Sequence, residues 1–303
     1  MGNAQSDKPI KTIIEHKKQI NVILTFPSGN IISISNDKSI NIYNINLNII
    51  QKIENAHENN VFGISIQNEN NFATCSDDLS IKIWIKRRIA KFNINKFFLY
   101  GIIYNAHNDR IYNIIYSLNG NIISCSGDKT LKIWEKKKNR RYQLITIIKN
   151  FWKIFSILLL EDKEILISSE VNGINFYNIK TIELLFIIKE TCCNFWNSLK
   201  RIDEDRIILG GLNLLMTIIS IKERKIIRKI KNELQNWGIL TIQNKKIIVV
   251  GENNNIKIYS SENYECIKKI ENAHTKKIYG FCELKNETIL SYSPDKVIKI
   301  WKI

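Results

Sequence analysis

Residues Ala106–Trp134 read AHNDRIYNIIYSLNGNIISCSGDKTLKIW, and the fold is decided by this stretch. His107 stands 21 residues before Asp128, Ser124 four before that Asp, and Trp134 six after it. The same frame recurs in Ala56–Trp84 as His57, Thr74, Asp78 and Trp84. It recurs again in Ala273–Trp301 as His274, Ser291, Asp295 and Trp301. A fourth copy sets His16, Ser33, Asp37 and Tyr43 at the same intervals, so all four histidines of the chain lie in the frame. Three looser copies put Asn150, Cys192 and Asn232 in the His place and end on Tyr177, Ile219 and Tyr259. The end points 43, 84, 134, 177, 219, 259 and 301 recur about every forty residues and number seven.

Within each copy, short runs rich in β-branched and aromatic residues alternate with Asn, Gly, Asp and Ser turn signals. The spacing predicts four antiparallel strands per repeat. A chain of 303 residues with only 3 prolines has no linker to divide it. The reading is one domain over residues 10–303 behind a flexible tail, residues 1–9. A ring of sheets must join its first and last members or leave an edge open. The chain ends at Ile303, just after the third strand of the last repeat, and residues 10–15 precede His16 as a fourth strand precedes every later His. The expected fold is an all-β, seven-bladed propeller with four antiparallel strands per blade, its last blade closed by the N-terminal strand.

The pattern resembles the WD-repeat (G-beta-like) β-propeller family: a His, a strand, Ser-x-x-x-Asp, then a strand ending in Trp. The resemblance runs along essentially the whole chain. It departs in detail, with Asn-Ala-His for Gly-His in three repeats and Ile85, Glu135 or Lys302 after the Trp where the family has Asp. It implies hydrogen-bonded chains His57–Thr74–Asp78–Trp84, His107–Ser124–Asp128–Trp134 and His274–Ser291–Asp295–Trp301 that pin a turn to the preceding loop. In the first repeat the corresponding chain, His16–Ser33–Asp37, ends on Tyr43 and departs at its last link. His, Ser and Asp are also the residue types of a nucleophilic triad, but four copies in one chain read as scaffold. No phosphate-binding glycine loop and no metal-ligand spacing occurs. The chain is read as a non-enzyme with no catalytic residue, cofactor or metal.

The net charge is +16. An Ile, Asn and Lys bias of the kind a base-skewed genome produces accounts for part of it; anionic partners are the other reading. The six cysteines show no paired spacing, the first twenty residues are polar, and no apolar run nears the ~20 residues of a membrane span. These features place the chain in a reducing, cytoplasmic setting.

Two candidate surfaces follow. Near the top of the first strand of each blade stand Phe62, Tyr112, Phe155, Trp196, Trp237 and Tyr279, with Asn21 in the first blade. At 10% aromatic content, chance supplies roughly one aromatic at seven such places. Small or polar residues follow them, among them Gly63, Asn113, Ser156, Gly238 and Gly280. The aromatics either form a rim that takes a peptide, through cation–π contact with an Arg or Lys, or pack between blades. On the opposite face two links from third to fourth strand are basic. One carries Lys86, Arg87, Arg88, Lys91 and Lys96; the other carries Lys136, Lys137, Lys138, Arg140 and Arg141. They are either a solvated face or an anion- and membrane-binding one. The opening Met-Gly-Asn-Ala-Gln-Ser fits N-myristoylation at Gly2, which would set the chain at the cytoplasmic face of a membrane with a second, basic contact. The expected function is a scaffold, monomeric outside a complex, that binds a protein or peptide partner on its top face. The alternative is an RNA- or ribosome-associated propeller using the basic face.

Overall fold

Successive residues of a strand point to opposite sides of its sheet, and here both sides are apolar. In the first repeat Ile31 and Tyr43 pack one way, while Ile32 and Ile42 pack the other. Such a strand needs a neighbouring sheet on each side. The computed structural model describes residues 8–137, 141–150, 152–160, 165–170, 173–189, 199–210, 215–231, 238–242, 246–250, 254–284 and 287–303. Among them the strands form seven four-stranded antiparallel sheets. Six sheets take four consecutive strands; the seventh takes three from the end of the chain and Lys11–Ile14 from its beginning. This last strand lies against Val297–Lys302, with Lys11 opposite Ile300 and Ile14 opposite Val297.

The core is divided as the two-sided strands require. Seven apolar clusters each join two successive sheets. The first joins Ile32, Ile34 and Ile42 to Ile64, Phe72 and Trp84 of the next sheet. One joins the two ends of the chain, placing Ile13, Leu290 and Ile298 against Ile20, Tyr43 and Leu47. The first strands of the sheets touch in sequence, from Ile20–Thr25 through Val61–Asn68 to Gly280–Glu283 and back to Ile20–Thr25. They surround an axial channel, the sheets radiate outward as propeller blades, and the fourth strands form the outer edge.

The antiparallel order segregates the turns. The His loops and Asp turns lie at one end of the channel, the top. The turns after the first and third strands lie at the bottom, as does the start of Lys11–Ile14. Among the described residues no helix is long and apolar enough to cross a membrane. Gly2, Lys138, Arg140, Trp196 and Trp237 lie outside the described residues.

Candidate functional site

Each complete repeat builds one polar relay. In blade two, His57 Nδ1 lies 2.8 Å from Asp78 Oδ2, and His57 Nε2 lies 2.8 Å from Thr74 Oγ1. Trp84 Nε1–H donates to the same Thr74 oxygen at 2.9 Å. A carboxylate only accepts, so Nδ1 carries the proton and Nε2 accepts from the hydroxyl. His107 repeats this with Asp128 at 2.9 Å and Ser124 at 2.7 Å, and Trp134 Nε1 donates to Ser124 at 2.9 Å. His274 does so with Asp295 at 2.9 Å and Ser291 at 2.7 Å, and Trp301 Nε1 donates to Ser291 at 2.7 Å. In blade one, His16 meets Asp37 at 3.0 Å and Ser33 at 2.7 Å, but the last link, Ser33 to the Tyr43 hydroxyl, stretches to 3.4 Å. The Asp oxygens also accept backbone N–H groups of the His loop and of their own turn, as Asp78 does from Glu58 and Ser80. Loop and turn are thus fastened to each other.

These distances are those of a nucleophilic triad, yet the hydroxyls do not act as nucleophiles. Ser33, Thr74, Ser124 and Ser291 are fully buried, and in three of the four an indole N–H occupies the oxygen. Burial pushes His57, His107 and His274 below the usual imidazole pKa, against the opposing pull of their Asp partners. Burial alone would raise Asp37, Asp78, Asp128 and Asp295. The hydrogen bonds from their His partners and the neighbouring donors outweigh it, holding Asp37, Asp78 and Asp128 well below the usual range and Asp295 below it. The relays of His57, His107 and His274 are neutral imidazole on ionised carboxylate.

Two recurrent members of the relay were missed in the sequence. Lys82, Lys132 and Lys299, each two residues before the Trp, donate to the carbonyls of Ala56, Ala106 and Ala273 just before the His, at 2.7–2.8 Å. A hydroxyl two residues after the Asp, Ser39, Ser80 or Thr130, donates to that Asp and lies within 3.2 Å of the His. Both were visible as Lys-Ile-Trp and as Asp-x-Ser/Thr recurrences. In blade four, which lacks the His, Tyr177 reaches Asn150 Oδ1 directly at 2.7 Å, one long side chain standing in for the relay.

The rim aromatics owe their direction to the backbone. In blades one to four the pairing of first and second strands slips by one residue, and the unpaired residues are Asn21, Phe62, Tyr112 and Phe155. A bulge turns its extra side chain out of the alternation. Phe62 and Tyr112 are buried, while Phe155 and Tyr279 are half-buried. The structure brings three of them into one stack. Tyr112 and Phe155 meet at 4.9 Å, and the guanidinium of Arg110 lies 4.6 Å from the Phe62 ring and 6.0 Å from that of Tyr112. Arg110 is ion-paired with Asp77 of the preceding blade. Asn21 instead rivets blade one to blade two, donating to the Val61 carbonyl at 2.6 Å. The small residues after the aromatics answer to crowding of the inner strands: a Cβ on Gly238 would lie 2.6 Å from the Tyr279 carbonyl oxygen. Below the rim the channel holds a cavity of about 510 Å³ with Ile64, Asn113, Leu158, Cys282 and Lys200 in its wall. Burial pushes the Lys200 amine down and the Cys282 thiol up to about 12.

Four of the five basic residues of the blade-two link lie on strands, and Lys91 lies in the turn between them. The strands Ile81–Ile89 and Ile94–Ile103 stay paired out to a 3-10 turn at Ala90–Phe92, making one long hairpin. The Ile-Lys-Arg-Arg-Ile and Ile-Asn-Lys-Phe-Phe runs keep strand alternation, which carries the ladder outward. Lys86 is ion-paired with Glu69 at 2.8 Å, and Lys137 with Glu135. Arg87, Arg88, Lys91, Lys136 and Arg141 are exposed.

A ring of four-stranded antiparallel blades, fastened by repeated buried His–Ser/Thr–Asp–Trp relays and centred on a channel, defines a repeat β-propeller. Residues 48–84 and 100–135 match the family described as WD domain, G-beta repeat. The chain therefore carries two repeats of this type within a β-propeller whose form is consistent with that family. No curated protein matches the chain.

Proposed function

We propose that this propeller is a non-enzymatic scaffold that takes a peptide or protein segment at the top mouth of its channel, and that acylation of Gly2 tethers it to a membrane. Propellers of this family characteristically present binding surfaces, and the observation that supports the top face is the stack Phe62–Arg110–Tyr112–Phe155. Aromatic and Arg side chains are the residue types that carry interface energy. The chain's own Arg110 already covers the Phe62 ring, so the rim offers a guanidinium and the half-buried rings of Phe155 and Tyr279 rather than an empty cation slot. The fitting partner segment is one with an acidic or aromatic side chain.

The test is affinity capture from cells with Phe155→Ala, Tyr279→Ala and Arg110→Ala, each first shown to melt within a few degrees of the parent. Loss of the same captured protein in all three is expected; capture equal to the parent refutes the top-face reading. For the tether, Gly2→Ala is expected to move the protein from the membrane pellet to the soluble fraction. The net charge of +16 supports a second reading, association with RNA. That reading predicts RNA binding that falls steeply with salt.

A further inference from the structure

In the other blades the third strand has four to seven described residues and ends within two residues of the relay aromatic or its counterpart. In blade two it runs nine residues, to Ile89, five beyond Trp84. At ~3.3 Å per residue the hairpin stands roughly 10–15 Å beyond the usual turn at the bottom of the propeller. Its root is rigidly held. Phe97 is buried, stacked 5.4 Å from Phe26 and edge-on to Phe72 at 5.0 Å. Gln51 of blade one bonds both the N–H and the carbonyl of Phe97, at 2.8 and 2.7 Å.

The order of side chains from tip to root is distinctive. Directly paired residues share a face of the ladder. Ile89 pairs with Ile94, and the turn beyond them presents Phe92, 63% exposed, beside Ile94, 40% exposed. The next pairs inward are Arg88 with Asn95 and Arg87 with Lys96, and Lys91 flanks the tip. Between Ile85 and Leu99 stand five basic residues and no acid. An apolar tip followed by a cationic belt matches an anionic bilayer. Apolar groups settle at the boundary of headgroups and acyl chains, about 5–10 Å deep, and Lys or Arg hold the headgroups. A nucleic-acid surface pairs cations with several flat rings for stacking, and two of the three tip residues are isoleucines.

We propose that the blade-two hairpin is a membrane-docking element for an anionic leaflet. Phe92, Ile89 and Ile94 enter the interface, and Arg87, Arg88, Lys91 and Lys96 bind anionic headgroups. This rests on the membrane-side reading of the scaffold but requires no acyl group. The bottom face is also where residues preceding Lys11 leave the last blade, so a tether there and the hairpin act on the same plane.

The test uses the full chain made without acyltransferase, sedimented with phosphatidylcholine vesicles with or without phosphatidylserine. Binding is expected to be at least tenfold stronger to the serine-containing vesicles. Phe92→Asp should weaken it at least tenfold and Phe92→Trp should restore it. Removing two cations with Arg87→Gln and Arg88→Gln, at about fivefold each, should weaken it at least twentyfold. Replacing residues 87–96 with Asn-Gly, a turn suited to the flanking Lys86–Phe97 pair, should abolish binding and leave the melting temperature unchanged. Unaltered binding by Phe92→Asp, indifference to phosphatidylserine, or binding to poly(U) but to no vesicle would each overturn the proposal. If the acylated chain binds while the unacylated chain does not, the hairpin proposal fails and the Gly2 tether stands.

Discussion

An imidazole held neutral inside a fold takes up no proton as pH falls, whereas the same residue in the unfolded chain does. His57, His107 and His274 are in this position, each lowered by burial from the ordinary value of 6.5. Below about pH 6.5 the unfolded state therefore binds more protons than the folded one, and stability falls as pH falls. The relay carboxylates act in the same direction further down. Asp37, Asp78, Asp128 and Asp295 lie below the ordinary 3.8, so the stability they confer is complete above that value and is lost as pH drops beneath it. Urea midpoints measured from pH 7.5 to 5 should decline steadily, first through the histidines. His107→Ala should cost about 2–4 kcal/mol, because it leaves Asp128 and Ser124 buried without their shared partner. It should also flatten the slope between pH 6.5 and 5; a slope equal to the parent's would show that His107 is not a neutral, buried group. These relays were readable before any coordinates, because their members sit at fixed intervals in four copies. The supporting Lys82, Lys132 and Lys299 are equally periodic, each two residues before the Trp.

At the level of strands, the inner ring is where backbones crowd. A methyl group on Gly238 would sit 2.6 Å from the Tyr279 carbonyl oxygen and 2.7 Å from Gly280 Cα, both backbone atoms that cannot rotate away. Gly238→Ala should destabilise by about 1–3 kcal/mol. Gly101 is the internal comparison: its added Cβ would meet only Ile83 Cδ1, at an ordinary 3.8 Å, and Gly101→Ala should melt with the parent or slightly above it. Thermal melts of the two variants side by side decide the point, and equal melting would deny that the inner strands are in backbone contact. The small residue after each rim aromatic was legible as a pattern, but its cause was not. The cause is crowding between neighbouring inner strands, while the aromatics before them owe their direction to a bulge that slips the ladder at Phe62, Tyr112 and Phe155 and leaves no signature in a two-residue period. The basic link after Trp84 continues both strands: its Ile, Arg and Phe alternation is that of a strand, and no turn residue precedes Asn93.

Across the whole molecule, seven inter-sheet clusters among the described residues each cover the facing sides of two neighbouring blades, and the one between the chain ends depends on a four-residue strand. Lys11–Ile14 buries one large side chain, Ile13, among Ile20, Tyr43, Leu47 and Ile298, and Lys11 also donates to the Asn46 carbonyl of blade one at 2.8 Å. Removing it forfeits about 1.5–3 kcal/mol of apolar burial and a few ladder hydrogen bonds at ~0.5–1.5 kcal/mol each. At about 2–4 °C per kcal/mol, deletion of residues 1–14 should lower the melting temperature by roughly 6–30 °C. Deletion of residues 1–7, which precede the ladder, should leave it within a degree or two. The longer deletion also bares the edge of Val297–Lys302, whose Val-Ile-Lys-Ile-Trp sequence is a template for pairing with another chain. Light scattering should therefore show concentration-dependent association in that variant alone, reversed by a peptide of residues 8–15. The two deletions separate closure by the strand from any influence of the tail: equal melting would mean that blades one and seven hold together through their inner strands, without Ile13.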